Sequence, residues 1–146
     1  MISIKIIIAI LFLIVLYLAS LSFITRNDQI KPETDRQLTP CPDKPNCVFS
    51  QSDKKTHAIE AFHLLNKKSE SWGKLISAIK QTGGKVLIND GHYCHAVFTS
   101  TIFRFKDDFE AVLNNEKIDI RSASRAGRSD LGQNRKRVKK IRALYE

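Results

Sequence analysis

The chain has 146 residues, of which 42% are hydrophobic and 27% charged, and it contains only six Gly, four Pro and three Cys. That composition excludes a collagen-like or disordered chain and a scaffold held together by disulfides, and the length suits one domain rather than two. Basic residues outnumber acidic ones by 24 to 15, and nine of the 24 lie within 121–146, so the C-terminal segment carries the positive charge.

The N-terminal segment contains an uncharged run from Ile6 to Ile24, between Lys5 and Arg26. As a helix this run is about 28 Å long, close to the hydrocarbon thickness of a bilayer. A cleavable signal has a shorter apolar region and ends at small residues, for which Ser20-Leu21-Ser22 is the only candidate. We therefore predict a retained transmembrane anchor over 1–25, with a cleaved signal as the alternative.

The orientation of this anchor determines the compartment of the domain. With the short N-terminal side in the cytoplasm, the rest of the chain lies outside it, in the periplasm or at the cell surface. The stretch 26–39 is polar, has no periodicity and contains Pro32, which predicts a tether. A folded domain is expected over 40–146.

Two of the three cysteines, Cys41 and Cys47, flank a short proline-containing segment that can fold back on itself. In an oxidising compartment this arrangement predicts a local disulfide. Cys94 lies in an alternating strand pattern and is expected to be a buried, unpaired thiol. A metal site would need two further ligands at a standard spacing, which His57 and His63 do not supply, so no metal and no cofactor are expected.

The rest of the chain alternates between strand-like and helix-like patterns. Period-two alternation predicts strands over 56–64, 85–89, 92–102, 103–113 and 117–123. Apolar spacing near 3.6 predicts one helix capped by Ser69 or Ser71 and a terminal helix capped by Ser129 or Asp130. Because hairpin-joined strands cannot form a parallel sheet, the pattern predicts an α+β fold: a curved antiparallel sheet packed against two helices, preceded by one N-terminal transmembrane helix.

The turn at 114–117 predicts how its two flanking strands pair. Antiparallel pairing across a two- or four-residue loop places Glu110 directly opposite Arg121, within reach of an ion pair. On the preceding strand, Tyr93 and His95 share one face. They could line a pocket, although a packed or surface pair is the simpler interpretation.

The segment from Arg121 to Arg135, which we call the Arg/Ser motif, places guanidinium groups and hydroxyls just before a predicted helix. Guanidinium groups bind phosphate or carboxylate bidentately, and the free amides of a first helical turn favour negative charge. The motif therefore predicts a site for an anionic ligand. Its candidate residues are Arg121, Ser122, Ser124, Arg125, Arg128, Asn134 and Arg135. In the alternative interpretation, acidic neighbours neutralise these arginines and the motif only holds the turn.

Other function classes use the same region. An enzyme would need a base, a nucleophile and a cation, for which the candidates are Asp107 or Asp108, Ser122 or Ser124, and Arg125. Attraction of the basic terminal helix to anionic lipid headgroups suits a domain tethered at a membrane. Nucleic-acid binding is excluded because the basic segment lacks interleaved aromatics and lies in the wrong compartment. A purely structural accessory protein of the cell envelope is the last alternative.

Three separated motifs carry a resemblance to a known family. They are Pro40-Cys41-Pro42 to Cys47-Val48, Phe103-Arg104-Phe105 to Glu110, and Ile120-Arg121-Ser122 to Arg137. In this order the chain resembles the bacterial family called domain of unknown function 1499 (DUF1499), over about 38–144. The resemblance implies a membrane-associated or extracytoplasmic domain and supplies no substrate. Phe49 and Cys94 depart from the family pattern, at positions that suit packing.

Overall fold

The computed structural model describes residues 4–24 and 36–146. In chain order its elements are α1 (Ile4–Ile24), β1 (Cys47–Phe49), β2 (Phe62–His63), α2 (Lys68–Gln81), β3 (Lys85–Asn89), β4 (Tyr93–Thr99), β5 (Lys106–Leu113), β6 (Lys117–Ser124) and α3 (Gln133–Tyr145). The predicted α+β class is confirmed, because an open, curved antiparallel sheet packs against two helices and follows an N-terminal apolar helix.

α1 is long and apolar enough to cross a membrane, over Ile4–Phe23. Only 6% of its most apolar stretch is buried inside the structure, whereas the core helix of a soluble protein is covered on most sides. The surface of α1 therefore suits lipid. The predicted tether, 26–39, lies largely outside the described residues.

The sheet has the strand order β1-β6-β5-β4-β3, and β2 also pairs with β6. Within the described residues, all six strands pair antiparallel, and hairpins join β3 to β4, β4 to β5 and β5 to β6. The β5–β6 register pairs Glu110 with Arg121 and Leu113 with Ile118. This is the register that the turn at 114–117 predicts.

The segment 56–64 is not the single strand that its alternation predicts. Only Phe62–His63 joins the sheet, while Ala58 makes one isolated parallel bridge to Phe49. β1 was not expected, and it pairs with β6 at 121–123. Because β1 occupies that part of the outer edge of β6, only the opposite end of β6 remains for β2.

The two central strands are shorter than their sequence patterns suggest. The alternation predicts that β4 continues to 102 and that β5 begins at 103, but Ser100–Phe105 forms a loop between them. Within this loop Arg104 has a φ of 56°, a left-handed conformation that a strand cannot contain.

The predicted serine cap of α2 is also wrong. Lys67 is the N-cap residue and makes no side-chain capping bond. Ser71 lies buried in the first turn, where its Oγ accepts a hydrogen bond of 2.8 Å from the backbone N–H of Leu65. Ser71 therefore connects the segment before α2 to the first turn of the helix from a buried position, and it does not act as the N-cap.

The two faces of the sheet differ in chemistry. One face packs against α2 and α3 and forms a continuous apolar core. The strands contribute Val48, Phe62, Cys94, Ala96, Phe98, Phe109, Ala111, Ile118 and Ile120 to that core. The opposite face carries a row of polar side chains that are nevertheless largely buried. That polar face holds the predicted pair of Glu110 and Arg121, together with Asp108 and Arg125.

Candidate functional site

Two carboxylates organise the polar sheet face, which we define as Tyr93, His95, Asp108, Glu110, Arg121 and Arg125. The strand register places His95, Glu110 and Arg121 in one row across β4, β5 and β6. Each carboxylate lies between a ring group from β4 and a guanidinium from β6 or the residue after it. The face therefore contains two parallel groups of three side chains.

The first group is centred on Glu110, whose side chain is 3% exposed. It accepts a hydrogen bond of 2.7 Å from the Tyr93 hydroxyl and one of 3.2 Å from Nη1 of Arg121. Burial, together with the hydrogen bond to Glu110, raises the pKa of Tyr93 well above its usual value. Tyr93 is therefore a donor to the carboxylate. The predicted ion pair between Glu110 and Arg121 is present.

The second group is centred on Asp108. Arg125 binds it bidentately, with Nε and Nη2 at 2.9 and 2.7 Å, and Nε2 of His95 lies 2.7 Å from Oδ1. Burial would raise the pKa of Asp108, but the hydrogen bonds from His95 and Arg125 outweigh it and hold the pKa at about 2. Asp108 is therefore ionised at neutral pH, and both of its carboxylate oxygens are already hydrogen-bonded within the protein.

The hydroxyls and the other acid of the enzyme hypothesis lie on the opposite side of the sheet. Ser122 donates a hydrogen bond of 2.6 Å to Asn134, and Asp107 pairs with Arg137. Asp108 and Arg125 lie on the polar face instead. The sheet itself separates the expected nucleophile from the expected cation, so these residues do not form one catalytic site.

The N-terminus of α3 is already occupied by a carboxylate of the chain. Asp130 accepts hydrogen bonds from the backbone N–H groups of Gly132, at 2.9 Å, and Asn134, at 2.8 Å. It also accepts one from the Asn134 side chain. The first-turn amides that would attract an anion therefore bind Asp130, which serves as the predicted capping residue although Gly132 is the formal N-cap.

The candidate arginines are dispersed rather than gathered around one cavity. Arg121 and Arg125 bind carboxylates on the polar face, and Arg135 donates to the backbone carbonyls of Ala58 and Thr56. Arg128 is exposed and makes no hydrogen bond or ion pair with the described residues. Ser124 and Asn134 bind each other, with Nδ2 of Asn134 at 3.1 Å from the serine Oγ.

Asp119 is a buried charge that sequence reasoning did not single out. Its carboxylate accepts hydrogen bonds from Ser50 at 2.8 Å, Gln51 at 2.9 Å and Asn114 at 2.7 Å. Burial would raise the pKa of Asp119, but the hydrogen bonds from Gln51 and Ser50 and the nearby Lys117 lower it. Asp119 therefore joins the chain after β1 to the β5–β6 turn. No local pattern marks this role, because the donors lie up to 69 residues away.

A basic groove runs along α3, and sequence reasoning did not predict it either. It encloses about 510 Å³ between α3, the end of α2 and the end of β4. Its walls are Thr82, Phe98, Thr99, Ser100, Asp107, Gln133, Lys136, Arg137, Lys139 and Lys140. Arg137 pairs with Asp107 and lies 4.6 Å from the Phe98 ring centroid, so the acidic charge of the groove is neutralised internally.

The cysteines are compatible with the predicted arrangement. Cys41 and Cys47 are joined by a disulfide with their Cα atoms 5.7 Å apart. Cys94 is a buried free thiol, and burial raises its pKa to about 12, so it is unreactive in the folded protein. In the described part of the chain, no three His, Cys, Asp or Glu side chains are grouped as metal ligands.

Comparison with known proteins identifies a family and no activity. No curated protein matches the chain, and no solved structure matches it. The family described as protein of unknown function (DUF1499) matches residues 37–144, from just before the disulfide to the last turn of α3. Because that match covers most of the chain, including the Arg/Ser motif and the polar sheet face, the protein belongs to the DUF1499 family.

Proposed function

We propose that this protein is a single-pass membrane protein whose domain lies outside the cytoplasm and binds anionic lipid headgroups through the basic groove. The observation that carries the proposal is that three exposed lysines of α3 have ammonium groups that are unpaired among the described residues. Lys136, Lys139 and Lys140 are exposed, and the ammonium group of none has a hydrogen bond or ion pair with residues 4–24 or 36–146. Their charges are available to a ligand.

The lysines are better placed for this role than the Arg/Ser motif. Residues at i, i+3 and i+4 share one face of a helix, so the three ammonium groups lie together along the groove. The guanidinium groups of Arg121, Arg125 and Arg135 are already bound by protein acceptors. Each lysine near an anionic membrane surface contributes about 1 kcal/mol of attraction.

The anchor keeps the groove near the membrane. Residues 25–35 separate α1 from the next described residue, and a segment of that length spans at most about 40 Å even when fully extended. Tethering therefore converts headgroup binding into an intramolecular encounter, for which weak electrostatic attraction is sufficient. The same anchor supplies the extracytoplasmic location in which the Cys41–Cys47 disulfide is stable.

The test uses the full chain in vesicles of phosphatidylcholine, with and without phosphatidylglycerol. Acetylation of individual lysines is followed by mass spectrometry. We expect phosphatidylglycerol to slow the acetylation of Lys136, Lys139 and Lys140 severalfold, and added salt to reverse this protection. The exposed lysines Lys44 and Lys55 serve as internal controls and should react at the same rate in both vesicles. Equal rates for all five lysines would overturn the proposal.

Two further arms identify the ligand. We expect phosphatidylglycerol to protect the Thr99 and Ser100 amides from hydrogen exchange beyond any protection by phosphatidylcholine alone, and a variant with Lys136→Gln, Lys139→Gln and Lys140→Gln should lose this added protection. A variant that removes three charges elsewhere, at Lys44, Lys55 and Lys67, should keep it. If inorganic phosphate protects the groove equally well in phosphatidylcholine vesicles, the ligand is a soluble phosphate rather than a lipid.

A further inference from the structure

The two most exposed large apolar side chains of the domain lie in two different loops. Ile102, in the β4–β5 loop, is 82% exposed, and Leu131, just before α3, is 83% exposed. Isolated exposed apolar residues are common on protein surfaces and need no explanation. These two are notable because the loops that carry them meet at one edge of the domain.

A cavity of about 320 Å³ identifies that edge. Its domain side is formed by Ser100 and Phe105 from the β4–β5 loop, by 126–130 from the loop before α3, and by Asp107, Ser124 and Gln133. We call these two loops, 100–105 and 126–131, the loop edge. Phe103 stacks on Phe105 within it, with ring centroids 5.7 Å apart, so the edge presents aromatic as well as aliphatic surface.

The remaining wall of the cavity is α1. Tyr17, Leu18 and Leu21 of that helix face the loop edge. At about 1.5 Å per residue, these side chains lie roughly 4 to 10 Å along the axis from the end of α1 at Ile24. If α1 crosses a bilayer, that depth corresponds to the boundary between headgroups and acyl chains, where interfacial segments bury their apolar faces.

The loop edge also adjoins the basic groove. Ser100, Asp107 and Gln133 line both the cavity beside α1 and the groove beside α3. Apolar tips and unpaired lysines therefore lie side by side at the same end of the domain, and Arg104 and Arg128 are exposed at the tips themselves. An apolar tip flanked by cations matches the layered chemistry of a bilayer surface, with acyl chains below and phosphates above.

We infer that the loop edge inserts into the outer leaflet of the bilayer that α1 spans, with Ile102 and Leu131 at acyl-chain depth and the groove lysines at headgroup depth. The inference rests on the proposed anchoring by α1. The insertion adds an attraction to the membrane that electrostatics cannot provide in neutral lipid, because contact of apolar side chains with acyl chains does not depend on lipid charge. It also gives the domain one fixed orientation on the membrane.

The experiment measures depth at the edge directly. The full chain carrying Ile102→Cys is labelled with an environment-sensitive fluorophore in phosphatidylcholine vesicles whose acyl chains are brominated, so that only a probe among the acyl chains is quenched. Leu144→Cys, at the far end of α3 and 43% exposed, is the matched control. Cys94 is buried, and labelling of the unsubstituted protein measures its contribution. We expect a severalfold larger quenched fraction at position 102 than at position 144.

The outcomes separate this inference from the proposed function. Equal quenching at the two positions, in chains that float with the vesicles, overturns the insertion. Headgroup binding by the groove lysines is then still tested separately, by the acetylation experiment. A probe at position 102 that is shielded from soluble quencher but not quenched by brominated lipid also overturns it, because the edge then contacts protein. A chain that does not float with the vesicles overturns the anchor, and the insertion with it.

Discussion

At Glu110, the buried carboxylate accepts hydrogen bonds from the buried Tyr93 hydroxyl and from the partly buried Arg121 guanidinium. Removing the carboxylate would leave the Arg121 guanidinium and the Tyr93 hydroxyl without their acceptor inside the protein. Breaking a buried ion pair from one side costs several kcal/mol, whereas truncating an exposed acid costs little. The polar face therefore depends on this residue.

We expect Glu110→Ala to lower the free energy of unfolding by about 3 kcal/mol or more, for that reason. Urea denaturation of the full chain in detergent measures the loss. Glu116→Ala, in the exposed β5–β6 turn, is the control and should change stability by less than about 0.5 kcal/mol. A Glu110→Ala protein of normal stability but altered anion binding would instead favour the ligand site of the Arg/Ser motif.

Asp108 makes stability depend on pH in the acid range. Its pKa is about 2 in the folded protein against an ordinary value of 3.8, so the ionised form favours folding. The contribution is complete above about pH 4 and is lost as the pH falls through about 2, and a shift of this size corresponds to roughly 2 kcal/mol. We expect Asp108→Asn to be less stable than the unsubstituted protein at pH 7 and to approach it near pH 2.

Unfolding by urea at a series of pH values tests this expectation. The exposed Asp53→Asn is the control and should follow the unsubstituted protein across the whole range. A stability difference between Asp108→Asn and the unsubstituted protein that stays constant from pH 7 to pH 2 would contradict the assignment.

The three cysteines give a chemical check on the domain entrance. With Cys41 bonded to Cys47, protein denatured without reductant should show one reactive thiol, which is Cys94. Without denaturant even that thiol should react slowly, because it is buried and its pKa is raised to about 12. Thiol titration under both conditions is the measurement, and three reactive thiols would exclude the disulfide.

At the scale of elements, the turn between α2 and β3 requires glycine at position 84, where the core leaves no room for a side chain. A Cβ on Gly84 would lie 2.6 Å from Cγ2 of Ile79 and 2.7 Å from Cζ of Phe98, and both are core residues. The carbonyl oxygen of Ile79 would be at 2.9 Å. The backbone of this turn therefore packs directly onto the core.

We expect Gly84→Ala to cost about 1–3 kcal/mol through overpacking. Gly73→Ala makes a matched control because Gly73 lies within α2 and has nothing within 4 Å of the added Cβ. That control should stabilise the protein by up to about 1 kcal/mol, since alanine favours a helix interior. Thermal unfolding of the two variants should therefore show shifts of opposite sign, and shifts of the same sign would contradict the packing.

At the scale of the whole molecule, retention of α1 decides whether the domain works at a membrane. We predict that the mature chain keeps α1, because the apolar run is longer than the core of an ordinary cleaved signal. N-terminal sequencing of the protein from the membrane fraction is the measurement. A mature chain that begins near Phe23 would show cleavage, and the groove would then meet the membrane without a tether.

The sequence predicts the parts of this fold that depend on neighbours along the chain. The β5–β6 turn, the faces of β4 and the pairing of Glu110 with Arg121 follow from alternation and loop length. β1 was not predicted because a strand of three residues carries too little alternation, and β2 is only the end of the longer strand predicted over 56–64. The ends of β4 and β5 were misjudged because the alternation continues through the loop, where Arg104 turns left-handed.

The candidate site divides in the same way. Composition and spacing alone determined that the chain has an apolar N-terminal helix, a local cysteine loop and a C-terminal concentration of cations. The tertiary structure decided which of those cations are free, because Arg125 meets Asp108 and Arg137 meets Asp107 only once β5 lies beside β6 and α3. Charge is a property of a residue, but its availability depends on the partners that folding brings near it. The lysines along the basic groove are available because, among the described residues, Asp107 pairs with Arg137 and no acceptor bonds their ammonium groups.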